Sequence, residues 1–272
     1  MSRLSTRFAA LKKSGRKALI PFVTAGDPHP EITVDLMHAM VKSGADILEL
    51  GIPFSDPMAE GPAIQRACER ALAHNVSLRD VLAMVKKFRQ SDSETPVVLM
   101  GYLNPIEVMG YDVFARDAAA AGTDGVITVD LPPEEAEEYL VAFKDHGLDP
   151  VFLLAPTSTA ERISRVAAVA GGFVYYVSLK GVTGASNLDM NDVTKKLNEI
   201  RSLVSLPLAV GFGIKDAKTA AAVAQVADAV VVGSALVNRI AELADQSDKI
   251  IETISAYLST LREAMDNETI TA

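Results

Sequence analysis

Eight short apolar runs recur along the chain, and an amphipathic helical pattern follows each of them. The runs are apolar on both faces, which is typical of parallel strands that helices cover. Eight strand–helix units in one chain of this length predict an α/β fold, the (β/α)8 or TIM barrel. The predicted strands are residues 18–24, 47–51, 97–101, 125–129, 151–154, 173–178, 207–210 and 229–232.

An additional amphipathic helix precedes the first strand, with Leu4, Phe8 and Leu11 on one face. We expect residues 1–265 to form a single barrel domain and the polar residues 266–272 to form a frayed tail. A doubly wound open sheet is the alternative architecture. It is less favoured, because no Gly-x-Gly-x-x-Gly fingerprint of a dinucleotide site follows the first predicted strand.

The overall charge restricts the class of partner. The 272 residues carry a formal net charge of −9, which disfavours nucleic acid or an anionic membrane as the main partner, although local loops can still bind an anionic substrate. No apolar run is long enough for a transmembrane helix, and the first residues lack the apolar core of a signal peptide. The single cysteine, Cys68, excludes an internal disulfide. We therefore expect a cytoplasmic protein.

Glu49 lies inside the otherwise apolar second predicted strand. Burial of an unpaired carboxylate is costly and raises its pKa. Glu49 is therefore either a structural acid held in a salt bridge or a general acid/base in a dry pocket. The loop that follows carries Ser55, Asp56 and Glu60. Loop acids are ordinarily solvated, but Glu60 is a candidate second carboxylate because it follows the same strand end.

Two glycine-containing turns follow the seventh and eighth predicted strands. They read GFGI at residues 211–214 and GSA at residues 233–235. Small residues let backbone N–H groups approach an anion, and the N-terminus of the next helix adds positive potential. Tight-turn geometry alone would explain either glycine turn. The two together predict a phosphate site, because the loops after strands seven and eight bind phosphate in many such barrels.

The sixth predicted strand contains two consecutive tyrosines, Tyr175 and Tyr176. Strand alternation sends one of them inward, where its hydroxyl either reaches the site or packs in the core. The loop after this strand is long and rich in small polar residues, which suits a mobile lid or a plain connection. The histidines show no metal-ligand spacing, so no metal site is predicted.

Seven motifs occur in order along nearly the whole chain. They read PFVTAGDP at 21–28, LELGIPFSDP at 48–57, MGYLNP at 100–105, VDLPPEE at 129–135, LLAPT at 153–157, SLKGVTG at 178–184 and GFGI at 211–214. Together they resemble the tryptophan synthase alpha chain family. The resemblance implies cleavage of indole-3-glycerol phosphate to indole and glyceraldehyde 3-phosphate, a carbon–carbon lyase reaction of L-tryptophan biosynthesis.

The same resemblance assigns roles to individual residues. Glu49 would be the general acid/base at the indole ring carbon, the loop acid Glu60 would act at the indole nitrogen, and Tyr175 matches the catalytic tyrosine. Phe22 and Met100 match positions along the indole pocket. The remaining substrate contacts, mostly backbone around the phosphate, match Thr183, Gly184, Phe212, Gly213, Gly233 and Ser234.

One position departs from the family pattern. The family's loop usually reads Ala-Asp-Gly, whereas this chain reads Ala59-Glu60-Gly61. The charge is kept, but the side chain is one methylene longer. Because a displacement of about 1 Å in a catalytic group can cost roughly 10²-fold in rate, we hypothesise that Glu60 still acts, with a lowered rate of cleavage.

The resemblance also implies a partner. Family members form αββα complexes with a beta chain, and indole passes through a tunnel to a pyridoxal phosphate site in that chain. No cofactor is expected in the present chain. The implied docking surface includes Asp56, Pro57, Asn104 and Pro132. Prolines also stiffen loops, so the two roles are compatible.

Two other functions stay open at the level of sequence. One is another phosphate-binding barrel isomerase or lyase, such as indole-glycerol-phosphate synthase, which would need a different set of strand-end lysines and acids. The other is a barrel that mainly activates a beta chain, its own chemistry being weak or absent because of Glu60.

Overall fold

The computed structural model describes residues 2–178, 190–211 and 213–269. Within these residues eight parallel strands close into a barrel in chain order, with the last strand paired to the first. The predicted barrel is confirmed, because that last pairing leaves no open sheet edge. The strands are β1 (Ala18–Thr24), β2 (Leu48–Gly51), β3 (Val97–Gly101), β4 (Gly125–Thr128), β5 (Asp149–Leu154), β6 (Val174–Val177), β7 (Leu208–Gly211) and β8 (Ala229–Val232).

Helices surround the barrel, and side chains set several of their first turns. Ser77 and Asp216 each start a helix by accepting a hydrogen bond from a backbone N–H of its first turn. The α-helices of the described residues are α1 (Arg3–Lys13), α2 (Thr33–Lys42), α3 (Pro62–Ala73), α4 (Leu78–Phe88), α5 (Leu103–Met109), α6 (Tyr111–Ala121), α7 (Glu137–His146), α8 (Ala160–Val169), α9 (Met190–Arg201), α10 (Ala217–Ala224), α11 (Ser234–Glu242) and α12 (Ser247–Thr269), and two short 3₁₀ helices span Pro30–Ile32 and Pro133–Glu135.

Strand alternation divides the apolar residues into two cores. Leu19 and Val210 belong to the cluster between the barrel and its helices. Ile20 and Ile127 belong to a separate cluster inside the barrel. Helix α1 adds its apolar face to this inner cluster, where the ring of Phe8 lies 5.9 Å from that of Phe173. The barrel interior is therefore filled and closed at the end where the strands begin, and the opposite end is left for a site.

The last helix extends past the predicted end of the barrel domain. Helix α12 runs through Thr269, and Asp266 accepts hydrogen bonds from Arg16 and Arg262. These ion pairs hold residue 266, the first residue of the predicted tail, against the rest of the fold. No described helix combines the length and apolarity needed to cross a membrane.

Candidate active site

Glu49 is the second residue of β2 and points into the barrel. Its register partner on β1 is Phe22, and the flanking Leu48 and Leu50 pack on the helix side. Glu49 is only 1% exposed, and its Oε2 atom has no hydrogen-bond partner among the described residues. Nor does any described cation form a salt bridge with it. This arrangement does not fit a structural acid held in an ion pair, one of the two roles that the sequence allowed.

Two carboxyl groups of the site titrate near neutral pH. Burial, and secondarily the charge of Glu60, raises the pKa of Glu49 to about 8. Burial also raises the pKa of Glu60 to about 7. Because the two groups repel each other's charged form, one can hold a proton while the other is ionised. A pair with these pKa values can supply a general acid and a general base.

Tyr175 on β6 is the tyrosine that faces inward. Its hydroxyl lies against Gly211 of β7, where a β-carbon would come within 2.0 Å of the phenol oxygen. Burial, with the charges of Glu49 and Glu60, raises the pKa of Tyr175 well above its usual value. The phenol therefore stays protonated and available as a hydrogen-bond donor. Tyr176 points outward and packs in the helix-facing cluster.

A small cavity opens beside the loop that carries Glu60. Phe22, Met100 and Tyr102 line it together with Glu60, and most of the remaining wall is apolar. The ring of Phe22 lies over Gly51, where a β-carbon would come within 2.7 Å of it. Phe22, Met100 and Glu60, which the family resemblance places in the site, thus line one cavity. An apolar wall with one titratable group suits a flat aromatic ring that carries a polar atom.

The start of α11 is open to an anion. Gly233 is its N-cap and Ser234 its first residue, and no side-chain hydrogen bond caps this terminus. The preceding helix differs, because Asp216 caps α10. Gly213, in the loop after β7, has a φ of 80°, a conformation that favours glycine. Free N–H groups at a helix N-terminus are suited to phosphate oxygens, and a glycine turn also lets backbone approach an anion.

Some of the predicted site lies outside the described residues. This holds for Thr183, Gly184 and Phe212, and for the loop predicted as a lid. Among the residues that the structure does describe, no group of three or more His, Cys, Asp and Glu side chains could hold a metal ion.

The predicted contact residues of the partner surface differ in exposure. Asp56 and Asn104 are exposed, and Pro132 is partly exposed. Pro57, by contrast, is buried and lines the cavity beside Glu60. Its ring therefore faces the site in the isolated chain, and the next residue, Met58, takes the outer position.

Two exposed apolar side chains on this face were missed at the level of sequence. Met58, in the loop after β2, is 87% exposed, and Val108, on α5 after β3, is 83% exposed. Singly exposed apolar residues are common, and these two share only their position after neighbouring strands. Their position after β2 and β3 was the signal available in the sequence.

Comparison with known proteins gives a consistent result over the whole chain. A family model described as tryptophan synthase alpha chain matches residues 8–266. The tryptophan synthase alpha chain of Thioalkalivibrio sulfidiphilus is 64% identical over 266 residues, which cover 98% of this chain and 100% of that protein. That of Nitrosococcus oceani is 61% identical and covers 98% of each. The crystal structure of tryptophan synthase subunit alpha from Legionella pneumophila str. Paris has a TM-score of 0.93 at 51% identity, covering 98% of this chain and 99% of that chain.

Proposed function

Because the chain belongs to the tryptophan synthase alpha chain family, we propose that Glu49, Glu60 and Tyr175 are the residues that perform its reaction. That reaction is the cleavage of indole-3-glycerol phosphate to indole and glyceraldehyde 3-phosphate in tryptophan biosynthesis, which makes the chain a carbon–carbon lyase. The observation that carries the assignment is the buried carboxyl group of Glu49, which has no salt bridge among the described residues. Neither another type of phosphate barrel nor a purely activating barrel is favoured.

The two carboxyl groups divide the proton transfers between them. Protonated Glu49 gives its proton to the ring carbon that bears the glycerol side chain, and the indole becomes a cation at its nitrogen. The carboxylate of Glu60 stabilises that charge at the N–H. One of the two carboxylates then removes the proton of the hydroxyl on the side-chain carbon next to the ring. The C–C bond between that carbon and the ring breaks, and its electron pair returns to the ring. The pKa values of about 8 and about 7 leave one acid and one base for these steps near neutral pH.

The remaining residues bind and orient the substrate. Phe22 and Met100 form the apolar wall for the indole ring, and the phenol of Tyr175 donates a hydrogen bond inside the barrel. The phosphate binds at the open start of α11, to Gly233 and Ser234, and at the glycine turn around Gly213. Thr183, Gly184 and Phe212 complete this set in the proposal.

The partner is a beta chain, as the family's name implies. We propose an αββα assembly in which the beta chain covers Asp56, Asn104 and Pro132. Exposed Met58 and Val108 support this placement, because apolar side chains at that exposure gain most from burial in an interface. Pyridoxal phosphate would belong to the beta chain, and no cofactor is proposed for the present chain. The cytoplasm is the proposed location, consistent with Cys68 as a free, buried thiol.

Release of indole from indole-3-glycerol phosphate tests the proposal directly. The pure chain should release indole slowly, and a cognate beta chain should accelerate the release by ordering the loops of the active face. Glu49→Gln should abolish most of this activity, whereas Glu263→Gln, at an exposed position on α12, should not change it. Wild-type activity in Glu49→Gln would refute the assignment of the acid. No acceleration by the beta chain would refute the proposed assembly.

A further inference from the structure

Two side chains from different elements hold the Ala59–Glu60 segment, one at each end. The backbone N–H of Ala59 donates a hydrogen bond to the Tyr102 hydroxyl, with an N–O distance of 2.8 Å. The side-chain amide of Gln65 donates to the backbone carbonyl of Glu60, with a distance of 2.9 Å. We propose that Tyr102 and Gln65 are positioning residues that fix the Glu60 carboxyl group for cleavage, an inference that rests on the proposed role of Glu60.

Tyr102 is a rigid anchor for one end of this segment. It follows β3 directly, is 4% exposed, and its ring stacks on Phe54 with a centroid distance of 5.2 Å. The barrel itself thus determines the position of its hydroxyl oxygen. Burial raises the pKa of Tyr102 to about 12, so the phenol is neutral at working pH. Its oxygen accepts a hydrogen bond from the Ala59 N–H and holds the loop next to the cavity that Tyr102 also lines.

Gln65 anchors the other end of this segment, at the Glu60 carbonyl. It lies in the first turns of α3, where its own N–H bonds to the Gly61 carbonyl, and the helix buries Ala67 in the core. The loop itself forms a turn from Pro57 to Glu60, in which the N–H of Glu60 donates to the carbonyl of Pro57 at 3.0 Å. Both ends of the Ala59–Glu60 segment are therefore tied to residues outside the loop, Tyr102 after β3 and Gln65 on α3.

This arrangement decides where the longer side chain of Glu60 can go. A glutamate has one more rotatable bond than the aspartate that the family pattern carries, so the same backbone permits more positions of the carboxyl group. With the backbone fixed at Ala59 N and Glu60 O, only side-chain torsions can absorb the extra methylene. The anchors thus keep the group partly buried in the cavity wall, where its pKa is raised. Ala59 itself is exposed. If Tyr102 lost its hydroxyl, water could accept the hydrogen bond from the Ala59 N–H, so the core does not depend on the bond between Ala59 and Tyr102.

The test is Tyr102→Phe, which keeps the ring and its stacking on Phe54 but removes the acceptor. We expect kcat for indole release to fall about tenfold, since displacement of a catalytic group by a fraction of 1 Å lowers rate steeply, and KM to change little. The pH profile of kcat should also change. Without its anchor, Glu60 is better solvated, and its pKa falls. The limb of the kcat profile that Glu60 sets near pH 7 should therefore move toward lower pH. Gln65→Met should likewise lower kcat and move the same limb of the pH profile toward lower pH.

A double-mutant cycle separates positioning from a general structural effect. In a Glu60→Gln background, Tyr102→Phe should lower kcat no further, because the group that it positions is already gone. Tyr111→Phe is the matched control: it removes a tyrosine hydroxyl that bonds Glu107 on the neighbouring helix, and it should leave rate and pH profile unchanged.

The outcomes distinguish the two hypotheses. An unchanged rate in Glu60→Gln alone would refute the role of Glu60, and with it the positioning proposal. A large loss in Glu60→Gln, together with a wild-type rate and pH profile in Tyr102→Phe, would refute the positioning proposal only. The same fall in kcat from Tyr102→Phe in both backgrounds would also refute it, because the effect would then not pass through Glu60.

Discussion

Asp46 and Asp124, where the strands begin, differ from Glu49, inside the barrel, in whether a cation matches the charge of the buried carboxyl group. At the end where the strands begin, Asp46 is 4% exposed, accepts the N–H of Leu19 at 3.0 Å and pairs with Arg262 at 3.1 Å. Asp124, at the same end, is 5% exposed and pairs with Arg89 at 2.8 Å. Each of these acids bridges neighbouring elements, and its charge is matched by a cation.

At the end where the strands finish, Asp27 is also buried and pairs with Arg70 at 2.6 Å, but Glu49 has no such partner. Glu49 is more deeply buried than any of these aspartates, yet no described cation pairs with it, and its Oε2 has no hydrogen-bond partner among the described residues. Its strongest charged neighbour is another acid, Glu60. A matched carboxylate contributes to stability and keeps its charge, whereas an unmatched one can gain and lose a proton near neutral pH. Ion pairing therefore separates Glu49 from the paired aspartates, which supports the proposed role of Glu49 in the reaction.

The largest expected difference between Glu49 and the paired aspartates is in rate. Glu49→Gln removes the proton donor but keeps the shape of the side chain, so kcat for indole release should fall roughly 10²- to 10⁴-fold. Stability should not fall, because no described cation loses its partner. Single-turnover assays and urea unfolding of the same preparation measure both quantities. A stable, fully active Glu49→Gln would contradict the proposed role of Glu49.

The second difference is in the pH dependence of stability. Folding raises the pKa of Glu49 from 4.5 to about 8, so the folded state binds this proton more tightly than the unfolded state. The contribution of Glu49 to the free energy of unfolding is therefore intact below pH 4.5 and is lost as pH rises toward 8. Between pH 5 and pH 9 the wild type should lose on the order of 4 kcal/mol more than Glu49→Gln. Parallel pH dependences of the two proteins in urea unfolding would refute this.

At the opposite end, the same type of substitution should affect stability and spare the rate. Asp46→Asn leaves Arg262 without its buried carboxylate and should cost about 3 kcal/mol in unfolding free energy, near the low end for a broken buried pair. Arg262 retains Asp266 as a partner, which limits the cost. Activity of the remaining folded protein should equal that of the wild type. A clear fall in kcat at full stability would mean that this end also takes part in catalysis.

The smallest expected effect concerns the length of the loop acid. Glu60→Asp shortens the side chain by one methylene and should raise the rate of indole release up to about tenfold, if the present carboxyl group lies a fraction of 1 Å from its best position. Glu69→Asp, at an exposed position on α3, is the control. A fall in rate after Glu60→Asp would show that the surrounding site has adapted to glutamate.

Much of the fold could be predicted because its signals are local. The strand positions agree with the structure to within two residues, since each strand is an apolar run bounded by polar or glycine-containing segments. Glu49 was equally visible, as an acid inside such a run. The inward direction of Tyr175 was left open between two neighbours, because alternation gives two equivalent choices until the register with β5 and β7 is known.

Other features of the site depend on contacts between distant residues. The burial of Pro57 beside the cavity, and the bond from Ala59 to Tyr102 across 43 positions, follow from how the loop after β2 lies against β3. Composition and spacing carry no record of that arrangement. The contact that holds Asp266 of α12 likewise depends on Arg16, which lies 250 positions away from it.

By itself, the sequence determined the eight-unit barrel, the buried acid of β2, the glycine turns after β7 and β8, and the resemblance to one family, because periodicity and motifs are properties of contiguous residues. The tertiary structure alone decided which buried acids are paired and which are not. Charge pairing depends on distances between side chains that are far apart in sequence: Arg262 reaches Asp46 across 216 positions, while no described cation reaches Glu49. That difference in surroundings, and not the residue type, separates the acid that is held in an ion pair from the acid proposed for the reaction.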